Sequence, residues 1–372
     1  MSADRGGSSP GGLRHEALFY AGESDYAARV GEFIAAGLAA AEPVLVAVPG
    51  HRFDLVRPLV GADAPVTFVD MTEAGRNPGR IIPGVLHAFL DRHRDRVVRI
   101  VGEPIWPGRS AAEYPRCVQH EALINVAFVD RPAAILCPYD TVGLGEVALT
   151  DAARTHPVLV RNGVRTASPH YTAPEVVVDG FNRPLVEPDG PVASLRFDAT
   201  GLSAARALVA ATAAEAGLPA DRVDDLRIAV TELATNALTR AATPATLRVW
   251  VEPAALVCEV TGASVLTDRL AGRIPPSHRS DRGRGLVLVN HLCDLVDIHT
   301  DEGSTTIRLH LDRPGAARPV PASAQPAPVP AQPAPVPAQP APVPARPVPA
   351  PAGSAPGSAG AAEGGLALAP PG

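Results

Sequence analysis

The sequence predicts two folded domains of different class. Residues 15–160 read as an α/β domain on a parallel sheet, and residues 191–313 as an α+β sandwich with a mixed sheet. Three observations carry this. In the first half, short Val/Ile-rich runs alternate with helical stretches, the arrangement of βαβ units. In the second half, two helices, two strands, one helix and two strands follow one another, and the second helix carries a sustained 3.6-residue apolar stripe. The segments outside these blocks, residues 1–14 and 314–372, lack any apolar pattern and are expected to be disordered.

Composition narrows the function classes. At 372 residues there is ample chain for two cores. The net charge of −6 gives no global electrostatic case for direct nucleic-acid binding. All 33 basic residues are arginine, which excludes a Walker-type phosphate lysine and a Schiff-base lysine. Cys117, Cys137, Cys258 and Cys293 are far apart, so they read as small apolar residues in a reducing compartment, not as a zinc site or a disulfide framework. The Gly/Ser-rich start does not resemble a signal peptide, and no run reaches membrane-spanning length. A soluble, cytoplasmic protein that does not engage a membrane is expected.

In the first half, strands are expected at 43–48, 66–71, 97–102 and 133–137, with helices at 25–41, 53–60, 78–94, 111–128 and 142–155. Near-continuous apolar strands indicate a sheet covered on both faces. Ligands of such sheets sit beyond the carboxyl ends of the strands, here near His51, Asp70, Glu103, Trp106 and Asp140. Glu103 and Trp106 could grip a small polar or cationic molecule. Equally, they could be a satisfied buried carboxylate and a core tryptophan. His120-Glu121 starts like a zinc-protease motif, but position 124 is Ile and the second histidine is missing. Glu121 and Asn125, four apart with no glycine-rich loop after them, read as a helix face.

The stretches His15-Glu-Ala-Leu-Phe-Tyr20, Gly102-Glu-Pro-Ile-Trp-Pro-Gly-Arg-Ser110, His120-Glu-Ala-Leu-Ile-Asn125 and Leu136-Cys-Pro-Tyr-Asp140 resemble the MEDS sensory domain of prokaryotic regulators. That family is regarded as a relative of RecA-like ATPases without the phosphate-binding loop, and no such loop follows residues 43–48 here. The resemblance implies sensing of a small molecule of unknown identity. His15, Tyr20, Glu103, Trp106 and His120 are the candidate ligand residues.

Residues 161–190 carry several prolines and glycines and read as a linker. The second domain then opens with an expected strand at 193–197, helices at 202–216 and 222–241, and strands at 246–251 and 256–260. A helix at 285–293 and strands at 296–299 and 305–311 complete it. Gly217 to Asp221 supplies the break and the cap between the first two helices.

On the second helix, Leu226, Val230, Leu233 and Ala237 form the apolar stripe, and Glu232 and Asn236 share one face beside it. A carboxylate and a carboxamide one turn apart can hold a hard, hydrated cation such as Mg²⁺. Asp281-Arg-Gly-Arg-Gly-Leu-Val-Leu-Val-Asn290 is a glycine-rich loop running into a helix, which lets backbone N–H groups approach phosphates.

Thr231-Glu-Leu-Ala-Thr-Asn-Ala-Leu238, Gly283-Arg-Gly-Leu286 and Gly303-Ser-Thr-Thr-Ile-Arg-Leu309 together resemble the histidine-kinase-like ATPase (Bergerat) fold, in the branch of bacterial anti-sigma serine/threonine kinases. The resemblance implies ATP and Mg²⁺ as cofactors, Glu232 as general base and Asn236 as Mg²⁺ ligand. Gly283, Gly285 and Leu286 would belong to the lid, and Thr305 or Thr306 would lie near the adenine. One box departs. The family's Asp-x-Gly, whose Asp accepts from the adenine amino group, reads Gly262-Ala-Ser264. Losing that acceptor costs about 1.5–3 kcal/mol, roughly ten- to a hundred-fold in affinity.

The implied partner is a sigma factor or an anti-anti-sigma protein, with a homodimer also compatible. A non-catalytic partner-binding module is the alternative that Gly262 and Ser264 favour. A sensor histidine kinase would need a phosphoacceptor histidine on a helical hairpin, whereas His156 and His170 fall in the connector region. After residue 314 the heptapeptide Gln-Pro-Ala-Pro-Val-Pro-Ala starts at Gln325 and occurs three times in succession, a composition suited to solvated polyproline II.

Overall fold

The structure, a computed structural model, describes residues 12–61, 63–241, 243–275 and 284–315. The tail, most of the N-terminal segment and Gly283 lie outside the described residues.

The first half runs β1 (Arg14–Tyr20), α1 (Gly22–Ala39), β2 (Val44–Val48), α2 (Phe53–Val60), β3 (Val66–Asp70), α3 (Met71–Ala74), α4 (Ala88–Arg92), β4 (Val98–Gly102), α5 (Tyr114–Ala127), β5 (Ala133–Asp140), α6 (Glu146–Thr155), β6 (Val158–Arg161), β7 (Val164–Ala167) and α7 (Pro174–Gly180). Seven strands form one sheet in the order β3-β2-β4-β5-β1-β6-β7. Every pair is parallel except the β6–β7 hairpin. Side chains alternate across it as a two-sided sheet requires. Leu45, Ala47, Ala17, Ile135 and Cys137 pack beneath α5, whereas Val44, Val46, Leu18 and Leu136 pack beneath α1 and α2.

Three features differ from expectation. β1 was not among the expected strands, yet it lies between β5 and β6. Its polar start, His15 and Glu16, hides the pattern, because both are buried and paired, Glu16 with Arg14 at 3.0 Å and Arg165 at 3.1 Å. The expected helix at 78–94 is instead a 3-10 turn (Pro78–Arg80), a π-helical turn (Ile81–His87) and α4. Pro83 cannot donate to the helical ladder, and the wider turn accommodates it. The segment read as a linker contains β7 and α7, and Val177 and Phe181 join the core of the first half.

The second half runs β8 (Ala193–Phe197), α8 (Leu202–Glu215), α9 (Ala220–Ala241), β9 (Ala245–Val251), β10 (Ala255–Gly262), α10 (Arg284–Leu292), β11 (Leu295–Thr300) and β12 (Thr305–Asp312). Its five strands are ordered β11-β12-β10-β9-β8. All four pairings are antiparallel, which corrects the expected mixed sheet. β10 and β11, joined through α10, run parallel but are separated by β12, so no two hydrogen-bonded neighbours are parallel.

α8 ends at Gly217, whose φ of +80° suits the left-handed cap. α9 buries Leu226, Val230 and Leu233 against the sheet, each contributing about 1.5–3 kcal/mol. The opposite face is crossed by the connector: Arg308 donates to the Val186 carbonyl at 2.7 Å, and Arg248 pairs with Glu187.

The halves meet along one seam. Asn77 donates to the Asn290 carbonyl at 2.9 Å, and a Cβ at Gly79 would overlap the Asn290 carboxamide. Arg273 donates to the Pro78 carbonyl at 2.8 Å, Arg116 pairs with Asp297 at 2.9 Å, and Arg76 pairs with Asp312. The segment between α3 and α4 is thereby fastened to α10.

Candidate functional site

Glu232 and Asn236 project from α9 toward the start of α10. Gly285 meets them there. A Cβ at that position would stand 2.6 Å from Glu232 Oε2 and 3.1 Å from Asn236 Nδ2, so any larger residue would displace the ends of these side chains. Leu286 turns the other way into the core, packed against Gly272, whose φ is +73°. Glu232 and Gly285 open into a cleft of about 660 Å³. Its other wall is the seam: Arg80, Pro83 and Gly84 of the first half line it beside Val287 and Leu288. Apolar walls with one carboxylate and arginines suit a phosphorylated ligand.

At the far end of α9 the arrangement is less open. Gly262 ends β10 opposite Thr305, and a Cβ there would stand 2.7 Å from Ala237 Cβ. The Thr305 hydroxyl is already engaged, donating to the Ser264 carbonyl at 2.7 Å and accepting from Leu266 N–H at 3.0 Å. Thr306 falls on the opposite face of the sheet, its Oγ1 2.9 Å from Thr261 Oγ1. The period of two along β12 decides this: Thr305, Ile307 and Leu309 face the helices, while Thr306 and Arg308 face away. The structure therefore groups Glu232, Asn236 and Gly285, pairs Gly262 with Thr305, and sets Thr306 apart. Donors for a hydrated cation and phosphates fit the first group, but Gly262 offers no side-chain acceptor for an adenine.

The candidate sensory residues split into four sets. Glu103 follows β4, at the point where the order reverses between β2 and β4, and Tyr20 ends β1, two strands further along the sheet. Arg52 fills that crevice, donating to Tyr20 Oη at 2.9 Å and lying 3.9 Å from Glu103 Oε1, while the Tyr26 hydroxyl donates to Glu103 at 3.4 Å. Burial pushes the Glu103 carboxyl up to about 8 against the opposing pull of Arg52. Trp106 belongs elsewhere: Arg109 lies over its ring at 4.3 Å. Glu103 and Trp106 thus each have an arginine of their own. His120 is buried near the seam, and burial lowers its imidazole to about 3.

His15 enters the fourth set, with three residues that spacing alone did not select. On the α5 face of the sheet it meets Glu121 of α5, Cys137 of β5 and His156 after α6, all buried. His15 Nε2 lies 3.2 Å from Glu121 Oε2, and Cys137 Sγ lies 3.4 Å from both atoms. His156 Nε2 is 3.4 Å from Glu121 Oε2 and has no hydrogen-bond partner. Burial would raise the Glu121 carboxyl, but the facing His156 and His15 hold it well below the usual range. Burial raises the Cys137 thiol well above its ordinary value. Glu121 looked like a helix face and Cys137 like apolar filler because their partners lie 106 and 122 residues away, at His15. The available signal was a histidine and a glutamate inside otherwise apolar core elements.

Comparison with known proteins places names on both halves. Residues 14–157 match the family model of the MEDS (methanogen/methylotroph, DcmR sensory) domain, and residues 195–311 match that of the histidine kinase-like ATPase domain. The chain therefore carries a MEDS domain followed by a histidine kinase-like ATPase domain. A crystal structure of the RsbU and RsbW domains of Rv1364c from Mycobacterium tuberculosis is similar at 17% identity over 34% of each chain, with a TM-score of 0.26. The chain thus spans about a third of the length of that structure. No curated protein matches. Among the described residues, no helix is long and apolar enough to cross a membrane.

Proposed function

We propose that the chain is a signal-responsive regulator of the anti-sigma type, in which the MEDS domain controls an ATP-binding, kinase-like domain. Its partner would be a sigma factor or an anti-anti-sigma protein. One observation supports the control: Arg80, Pro83 and Gly84 of the MEDS half line the cleft that holds Glu232 and Gly285. Any ligand that shifts the π-helical turn then alters the wall of the nucleotide cleft.

Within that cleft Glu232 would accept the proton of a partner's serine or threonine hydroxyl, and Asn236 would hold Mg²⁺ through its carboxamide oxygen. Gly285 keeps the space beside both open. Bound Mg·ATP would supply the transferable phosphoryl group, and transfer needs chiefly positioning and charge neutralisation. Arg80, at the rim, adds positive charge where phosphates would lie.

A second reading has its own observation. Gly262 packs on Ala237 and has no side-chain acceptor for an adenine amino group, which favours a module that holds its partner without turnover. The histidine-kinase reading has none, since His156 is buried against Glu121 and His170 is exposed beyond β7.

Calorimetry of Mg·ATP on the full chain separates these. Micromolar binding that is lost in Asn236→Ala and retained in Glu232→Ala, together with phosphorylation lost in Glu232→Ala, supports the kinase. Partner binding that survives both substitutions without nucleotide supports the holding module. Gly79→Ala, which forces the seam apart at Asn290, tests control: unchanged nucleotide affinity would refute it.

A further inference from the structure

We propose that His15, Glu121, Cys137 and His156 bind one divalent transition-metal ion of the zinc type in the core of the MEDS domain. The proposal is independent of whether the C-terminal domain turns over ATP.

The tautomers come first. Asn125 donates through Nδ2 to the carbonyls of Thr155 at 2.8 Å, Ala122 at 3.2 Å and Glu121 at 3.3 Å. Its Oδ1 is therefore the atom facing His15 Nδ1 at 3.1 Å, and His15 must carry its hydrogen on Nδ1. His156 Nδ1 faces the Ala152 carbonyl at 2.8 Å, which again requires N–H at that position. With Nδ1 committed outward, each ring turns its Nε2 to the same point, where the neutral form offers a lone pair. Metal-binding histidines are oriented this way, the outer nitrogen donating to a carbonyl.

Glu121 Oε2 is an acceptor, and the Cys137 sulfur is the fourth member. Tyr139 satisfies the other carboxylate oxygen, Oε1, at 3.0 Å. Two lone pairs, a carboxylate oxygen and a sulfur converge in a dry interior, all within 4.8 Å of one another. Such a set repels itself unless a cation or protons stand between its members.

The spacing suits a metal. Zn²⁺ with nitrogen and oxygen ligands at about 2.0–2.2 Å and sulfur at about 2.3 Å gives tetrahedral ligand–ligand edges of about 3.3–3.7 Å. Four of the six edges are 3.2 Å for His15–Glu121, and 3.4 Å for His156–Glu121, Cys137–His15 and Cys137–Glu121, and the remaining two, from His156 to His15 and to Cys137, are within 4.8 Å. Charge balances too. A carboxylate and a thiolate neutralise a divalent ion, and the Cys137 thiol proton leaves to solvent as the metal binds. Four protein ligands with no exposed position describe a closed site, the structural rather than the catalytic kind. One ligand, Glu121, shares α5 with Arg116, which reaches Asp297 across the seam, so the occupancy of the site bears on the junction between the halves.

The test uses the full chain, stripped by chelator and reloaded with Zn²⁺ or Co²⁺ alone. We expect one metal per chain by mass spectrometric metal analysis, a higher melting temperature on loading, and a thiolate-to-cobalt charge-transfer band. That band should vanish in Cys137→Ser and persist in Cys117→Ala. Asn125→Ala, which frees the His15 ring, should weaken cobalt binding about 10–100-fold. Because the unaltered chain gives the stoichiometry, a variant that fails to fold does not decide the outcome. Substoichiometric metal after reloading, or a charge-transfer band that survives Cys137→Ser, would overturn the proposal and leave a buried cluster held by protons.

Discussion

The cleft at α9 and the cluster beneath α5 are both polar sites, but they are built on opposite plans. Glu232 and Asn236 stand one helical turn apart, partly or fully exposed, and need only Gly285 to complete the group. His15, Glu121, Cys137 and His156 come from separate elements spread over 142 positions and are 0–2% exposed. Solvent shields the first set, so its charges cost little and await a ligand. Burial denies that to the second, whose charges must be balanced by one another or by an ion. Substitution should therefore separate function from stability in the cleft and merge them in the cluster.

The strongest way to break this contrast is Glu121→Ala. It leaves two imidazoles, a thiol and the Tyr139 hydroxyl facing an empty space. We expect a loss of about 3–5 kcal/mol in denaturant unfolding. A loss below about 1 kcal/mol would mean that the cluster is not balanced as described.

Next in size is Gly262→Asp, the substitution that restores the acceptor of the related ATPases. Because its Cβ meets Ala237, overpacking should cost about 1–3 kcal/mol and leave nucleotide affinity unimproved. Pairing it with Ala237→Gly should recover affinity for Mg·ATP in calorimetry. Tight binding by the single variant would show that the strand end yields more readily than its packing implies.

Glu103 offers a third, pH-dependent comparison within the MEDS domain. Its folded carboxyl titrates near 8 and its ordinary value is 4.5, among Arg52, Asp140, Tyr20 and Tyr26. Between those values the folded chain keeps a proton that the unfolded chain has released. Stability must then fall as pH rises through this window, by at most about 1.4 kcal/mol per unit, and level off above it. Glu103→Gln should flatten that slope in unfolding experiments at pH 5, 6.5 and 8. An unchanged slope would mean that Arg52 keeps the carboxylate ionised.

The smallest stability effect belongs to the cleft. Glu232→Ala and Asn236→Ala should each move unfolding by no more than about 0.5 kcal/mol, since exposed helical positions tolerate alanine. Their effect should appear instead in phosphorylation and Mg·ATP binding. A large stability loss would place them in the core and erase the difference from Glu121.

Read alone, the sequence carried the C-terminal domain almost entirely. The stripe Leu226, Val230 and Leu233, the cap at Gly217 and the strand runs are local patterns, and each expected element there forms within two residues of its bounds. Glu232, Asn236 and Gly285 were legible for the same reason, since four residues of helix or one glycine-rich loop suffice to define their geometry. The polar start of β1 and the proline in the segment at 78–94 were not, because burial and pairing there override local pattern.

Local periodicity therefore determined the two fold classes and the shared face of Glu232 and Asn236 on α9. Only the tertiary structure decided that Thr306 faces away from the helices, that Gly262 is pressed against Ala237, and that His15 meets Glu121, Cys137 and His156. Those facts depend on strand register and on contacts between separate elements, from Gly262 with Ala237 to His15 with Glu121, which no short-range pattern encodes.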